Sequence, residues 1–189
     1  MSVAAVVLAA GGGRRYGMPK ALVSYEGSLL VERAVRTARA VCDPVLVVLG
    51  AQALDVWRSA DLHGATVLAN KDWESGMASS LRTGLDGLRG WPGRIDAALI
   101  TLVDMPGMTT AALSALASRA APDALAVATY DGVRGHPVLL GRDHWAGVME
   151  TLTGDEGARR YLAEHDVTEI DCTGLADPTD LDVPPSPGG

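Results

Sequence analysis

The sequence predicts a single-domain, three-layer α/β/α sandwich whose sheet is mostly parallel with one antiparallel strand. Three observations predict it. Apolar, Val-rich runs of strand length recur at Val3–Ala9, Val45–Leu49 and 96–103, and continuous apolar runs of that length suit strands buried on both faces. Stretches with apolar residues at helical spacing alternate with these runs, the pattern of a sheet covered by helices on both sides. Asp131-Gly132, just after another apolar run, is a hairpin turn signal and supplies an antiparallel connection.

Taken in order, the first strand runs into a glycine-rich, basic loop at 11–20. Leu30, Ala34, Val35, Ala38 and Val41 share the buried face of a helix over 29–41. Pro44 opens the second strand, and a short third strand is expected at 65–68. Leu81, Leu85 and Leu88 mark a helix over 79–88. The fourth strand ends at Asp104-Met105-Pro106, where proline stops it. Thr109 or Thr110 caps a helix running to about residue 120. A fifth strand at 125–129, the turn, and a short strand at 138–140 follow. Helices around 143–152 and 156–165 precede a last strand at 167–171. Residues 1–183 form the domain, and the Pro/Gly-rich stretch 184–189 reads as a disordered tail. There is no internal repeat.

Composition sets limits on function. The 189 residues can bury a sizeable core. Phe is absent and aromatics are only 4%, so that core rests on Ala, Val and Leu. A net charge of -7 disfavours nucleic acid as a partner. Any phosphorylated substrate therefore needs a local cluster of Arg and Lys. Cys42 and Cys172 lack a metal-ligand spacing and read as reduced thiols. The apolar N-terminus has no basic region before it and is not read as a signal peptide. No stretch is long enough to span a bilayer, so no membrane partner and a cytoplasmic location are expected. Trp57, Trp91 and Trp145 read as packing residues.

Chemistry concentrates in Leu8-Ala9-Ala10-Gly11-Gly12-Gly13-Arg14-Arg15-Tyr16-Gly17-Met18-Pro19-Lys20. Glycines let backbone N–H groups approach an anion, and Arg15 and Lys20 bring charge to it. A Walker A loop does not fit, because Ala21 follows Lys20. A dinucleotide fingerprint does not fit either, because Tyr16 stands where its last glycine belongs. Asp104, at a strand's carboxyl end, suits Mg²⁺, which takes one or two carboxylates plus substrate phosphates. Locally it reads equally as a turn aspartate. In Asn70-Lys71-Asp72-Trp73-Glu74-Ser75-Gly76-Met77-Ala78-Ser79-Ser80-Leu81, a serine either caps the next helix or contacts a nucleotide.

The loop resembles the LAAGxSxRxGxPK signature of the molybdenum-cofactor nucleotidyltransferases, with the cytidylyltransferases as its nearest branch. Leu8, Ala9, Ala10, Gly11, Arg15, Gly17, Pro19 and Lys20 match; Gly13 replaces the usual serine and Tyr16 a common methionine. Asp104-Met105-Pro106 reproduces the family's DMP motif, and the segment around Trp73 its base-bordering motif. Gly135-His136-Pro137 resembles the cytidylyl branch's GHP motif, and Gly154-Asp155-Glu156-Gly157-Ala158-Arg159 a late GD-x-GAR segment. The likeness spans about residues 3–170.

The resemblance implies a Rossmann-like fold and an Mg²⁺-dependent enzyme. CTP is the donor, molybdopterin the acceptor, and pyrophosphate leaves. Arg15, Lys20 and Asp104 would be catalytic, with Asp104 on the metal. Ala9, Ala10, Gly11, Gly12, Gly13, Arg15, Lys20, Gly76, Ser79 and Ser80 would bind nucleotide. His136 and Arg159 would meet the acceptor, although His136 also reads as structural. Aligned on Pro178, the family's second acid falls at Ala176, which leaves Asp177 open as a second ligand. A guanylyltransferase, a sugar-phosphate nucleotidyltransferase and a non-catalytic nucleotide-binding regulator are the alternatives.

Overall fold

A computed structural model describes residues 1–182. Residue 183 and the tail expected at 184–189 lie outside the described residues.

The chain runs β1 (Val3–Ala9), the small hairpin β2 (Ser24–Tyr25) and β3 (Ser28–Leu29), α1 (Leu30–Arg39), β4 (Val45–Leu49), α2 (Ala53–Ser59) and β5 (Thr66–Ala69). It continues through α3 (Met77–Arg89), β6 (Ala97–Leu102), α4 (Thr110–Ala117), β7 (Leu125–Tyr130), β8 (Val133–Gly141), α5 (Trp145–Thr151), α6 (Arg159–Ala163) and β9 (Thr168–Asp171). Seven strands form one sheet in the order β5-β4-β1-β6-β8-β7-β9. β8 is antiparallel to both its neighbours, and the other pairings are parallel. The expected sandwich with one antiparallel strand is the observed one.

Alternation along β1 builds two cores. Ala5, Val7 and Ala9 face the layer of α1, α2 and α4. Ala4, Val6 and Leu8 face α3, α5 and α6. Fully buried leucines such as Leu30, Leu81, Leu85 and Leu113 close both layers, each stabilising by about 1.5–3 kcal/mol. Trp145 is buried and its indole N–H donates to the Leu140 carbonyl at 2.9 Å. Trp91 packs at the edge of the second core. Trp57 corrects the expectation of three packing tryptophans. It is 58% exposed, because the short α2 buries only Val56.

Caps and turns settle several boundaries. Glu32 reaches back to the Leu29 N–H at 3.0 Å at the start of α1, and the Thr109 hydroxyl caps α4 by accepting from Ala112 N–H. Asp131 and Gly132 both have positive φ, 49° and 79°, the geometry of a two-residue hairpin turn. The expected strand at 138–140 grows to Val133–Gly141 because it pairs with both β6 and β7. Its register with β7 jumps from Val138 to Gly135, so His136 and Pro137, which lacks a donor, fall out of the ladder.

Four features depart from expectation. α2 and the β2–β3 hairpin carry too little apolar pattern to be read from sequence. α6 covers only Arg159–Ala163, because Gly154 and Gly157, both at positive φ, keep the preceding stretch a loop. α3 begins at Met77, two residues before the expected start, so neither serine caps it. Its first N–H groups are met from another part of the chain: Met77 N–H donates to Asp155 Oδ1 at 3.1 Å and Ala78 N–H to the Gly154 carbonyl at 2.9 Å.

Candidate active site

The chain leaves β1 through α1 to β4 on one side, while β6 lies on the other. The carboxyl ends of β1 and β6 are therefore a switch point, the place where parallel α/β sheets open a crevice. A cleft of about 440 Å³ lies there, bordered by the backbone of Gly11, Gly12 and Gly13 and by Lys20 and Asp104.

The glycine loop is shaped by its own backbone. Tyr16 N–H and Gly17 N–H both donate to the Gly13 carbonyl at 2.8 Å. Gly13 sits at φ 59°, and a Cβ there would run into the Met18 carbonyl oxygen. Glycine in place of the usual serine is thus a requirement of this loop's conformation as well as a lost hydroxyl. Pro19 fixes the exit, and Lys20 opens a 3₁₀ turn, Lys20–Leu22.

Lys20 Nζ donates to Asp104 Oδ2 at 2.7 Å and to Asp182 Oδ1 at 2.9 Å. Burial pulls the ammonium's pKa down, but the two carboxylates outweigh burial and hold it above its ordinary value. Lys20 is therefore charged at neutral pH. The segment after β9 returns across the site to make this contact: Leu181 N–H donates to the Asp104 carbonyl at 2.8 Å and Asp177 N–H to the Gly107 carbonyl at 3.2 Å. Asp177 closes its own turn, accepting from Thr179 N–H and Oγ1. Asp180 and Asp182 are the acids brought near Asp104. Desolvation first, then the charges of Asp104 and Asp182, raise the Asp180 carboxyl above the usual range. The Lys20 hydrogen bond holds Asp182 below it.

Among the described residues no three His, Cys, Asp or Glu side chains converge as a self-sufficient metal cage. What exists is Asp104 beside a desolvated Asp180, with one lysine against three carboxylates. That sparse, anion-rich donor set fits an Mg²⁺ ion completed by substrate phosphates and water.

The other sequence-derived residues divide. Ala10, Gly76 and Ser80 border the cleft. The Ala9 side chain points into the opposite core. Ser80 accepts from Asn70 Nδ2 at 3.0 Å. The Ser79 hydroxyl also accepts from Asn70 Nδ2, at 2.8 Å, and is turned toward the Asp72 and Gly76 carbonyls. Arg15 stands at the rim, 78% exposed and 3.8 Å from Asp182, while Arg14 borders the cleft.

A second cleft of about 640 Å³ adjoins the first and shares Leu8, Met77, Leu102 and Asp155 with it. Its walls are apolar, from Leu81, Ile100, Val127 and Leu162, and its polar groups include Arg134, His136, Arg159 and Asp180. His136 is half-buried in the wall of this cleft. Desolvation pushes its pKa down to about 4, with the Asp104 charge opposing and Arg159 adding to the effect. His136 is neutral at physiological pH and offers a hydrogen bond rather than a charge.

Sequence reasoning missed Arg14, Asn70, Asp155, Asp180 and Asp182. Asp180 carried a signal, an acid two residues after Pro178 in a DL pair, although the alignment placed the family acid on the other side of that proline. Asp155 was visible only as a helix start.

A glycine loop and an aspartate over one sheet edge, with a second cleft beside them, define a nucleotide-transfer class of enzyme. Residues 5–169 match the MobA-like NTP transferase domain, and the chain belongs to that family of nucleotidyltransferases. It is 36% identical to nicotine blue oxidoreductase of Paenarthrobacter nicotinovorans over 96% of this chain and 92% of that protein. It is 22% identical to the molybdenum cofactor cytidylyltransferase of Escherichia coli strain K12, over 72% of this chain and 69% of that one. Rv0371c of Mycobacterium tuberculosis, solved in complex with manganese, superposes with a TM-score of 0.77 at 26% identity, covering 96% of this chain and 94% of that one. No helix among the described residues is long and apolar enough to cross a membrane.

Proposed function

We propose that this enzyme transfers a cytidylyl group from CTP to the phosphate of molybdopterin. The observation that carries the reading is the 2.7 Å contact of Lys20 with Asp104 across a glycine-bordered cleft that opens onto a second, larger one. The acceptor phosphate oxygen attacks the α-phosphorus, the bond from that phosphorus to the α–β bridging oxygen breaks, and pyrophosphate leaves. A phosphate nucleophile is already ionised near neutral pH, so positioning and charge neutralisation supply the catalysis. The glycine backbone, Lys20 and Arg15 would take the triphosphate, and Arg14, at the cleft wall, would join them. Ala10, Gly76 and Ser80 would border the base. Asp104 with Asp180 would hold Mg²⁺, which neutralises phosphate charge when bound. Neutral His136 and cationic Arg159 would meet the acceptor in the second cleft. The reading places the enzyme in the cytoplasm, where its triphosphate is made.

The GHP segment and the Escherichia coli relative support CTP and molybdopterin. The test is pyrophosphate release from CTP and from GTP, each with and without molybdopterin. Turnover with CTP and molybdopterin alone is expected; turnover with GTP alone moves the reading to guanylyl transfer. Asp104→Ala is expected to abolish release while weakened nucleotide binding survives, and undiminished turnover would refute its role. A second reading, an oxidoreductase, is favoured by the name of the 36% identical relative. Bleaching of nicotine blue by this chain with a reduced nicotinamide dinucleotide, in the absence of any pyrophosphate release, would replace the transferase reading.

A further inference from the structure

Behind the Asp104-Met105-Pro106 turn, on the sheet face covered by α1 and α4, lies a separate cavity of about 150 Å³. Its lining includes Leu30 and Met108, and the polar residues around it are Arg33, Arg36, Thr37 and Thr101. Arg33 and Arg36 stand one helical turn apart and so present both charges on the same side of α1. Thr101 comes from β6, three residues before Asp104, and is buried.

Arg33 is incompletely satisfied. Its Nε is buried and has no hydrogen-bond partner among the described residues. Its other nitrogens reach the Pro106 carbonyl at 3.4 Å and Glu26 at 3.2 Å, and the group lies 5.0 Å from the Tyr25 ring centre. Glu26 is 67% exposed and sits on the solvent side. Arg36 has no acidic partner among the described residues. An orphaned buried donor costs free energy until something accepts its proton. One water could do so, but the space is several times what a water needs. Two fixed positive charges and two hydroxyls, opposed by one exposed carboxylate, match an oxyanion better than neutral water. The concentration of charge stands out in a chain of net charge -7.

We infer that this cavity binds a small oxyanion of the phosphate class, independently of the nucleotide cleft. The anion sits between Arg33 and Arg36 with Thr37 and Thr101 donating hydroxyl hydrogen bonds. Arg33 connects it to the Pro106 carbonyl, so occupancy is felt at the turn that carries Asp104.

Inorganic phosphate is the probe, titrated by calorimetry into the full chain carrying Lys20→Met, which removes the ammonium of the glycine loop. Ionic strength is held constant with chloride. Saturable binding of one phosphate per chain is expected, with a melting temperature that rises with phosphate as mass action requires. Arg36→Met, at an exposed position, keeps the fold and weakens that binding about tenfold, the effect of losing one charge-assisted hydrogen bond. Thr101→Val weakens it less. Absence of saturable phosphate binding in the Lys20→Met chain overturns the site, as does binding that Arg36→Met and Arg33→Met both leave unchanged. Loss on Arg36→Met with retention on Lys20→Met also separates this cavity from the nucleotide cleft, whatever reaction that cleft performs.

Discussion

Lys20 carries two carboxylates on one ammonium, and the two differ in what they do there. Asp104 is fixed at the end of a buried strand; Asp182 arrives from the chain's far end and is 55% exposed. On the proposed reading, Asp182 sits where a triphosphate oxygen would meet Lys20. Exposed ion pairs of this kind contribute about 0–1 kcal/mol. Asp182→Asn is expected to lower the KM for CTP up to about fivefold with kcat little changed; a raised KM would show that Asp182 assists the nucleotide instead. Gly13 is the other decisive residue. At φ 59° and pressed against the Met18 carbonyl, it admits neither alanine nor the family's serine without local distortion, at a cost of about 1–3 kcal/mol. Gly13→Ser should raise the KM for CTP and lower the melting temperature. Equal or better affinity would show that the loop refolds around the hydroxyl.

At the scale of elements, α3 owes its distance from the sheet to a glycine inside it. A Cβ on Gly84 would lie 2.5 Å from Val6 Cγ1 in the centre of β1. Alanine gains about 1 kcal/mol of helix propensity there, while overpacking costs about 1–3 kcal/mol. Gly84→Ala is thus expected to lower the melting temperature, and a rise would mean that α3 shifts without resistance. The start of β6 is pinned in another way. Asp96 accepts from Arg94 Nε at 2.7 Å and from Ser2 N–H at 2.9 Å, tying the entry of β6 to that of β1. The Arg94 bond first, then the Ser2 bond, hold its carboxyl below the usual range. A folded pKa below the unfolded value stabilises above the unfolded value and loses that stabilisation as pH falls through the folded one. Asp96→Asn should accordingly melt lower than the parent at pH 7, with the gap closing below about pH 4, the ordinary carboxylate value. A gap independent of pH would assign the effect to packing.

Across the whole molecule, strand-length apolar runs and helical periodicity made the sandwich legible, because burial on two faces leaves a pattern in the residues themselves. The glycine loop and Asp104 were legible for a related reason: each lies at a strand end, where an apolar run stops abruptly. α2 was not, being short and held mainly by what it packs against, and α6 was legible only as a longer helix than the one that forms. Ser79 and Ser80 illustrate the limit, since adjacent serines in one motif both accept from Asn70 while only Ser80 borders the cleft. Trp57 shows the same limit from outside, an apolar side chain left exposed by the short helix that carries it.

The sequence by itself determined the layered fold, the glycine loop and the aspartate facing it, since these depend on local composition and on residues close along the chain. The tertiary structure alone decided which acids join Asp104, that Asp155 serves the start of α3, that Arg14 rather than Arg15 borders the cleft, and that Arg33 is left with an unused buried donor. Each of these depends on segments far apart in the chain meeting at one point, Lys20 with Asp182 across 162 positions being the longest reach. Packing fixes such meetings, and no local periodicity records them.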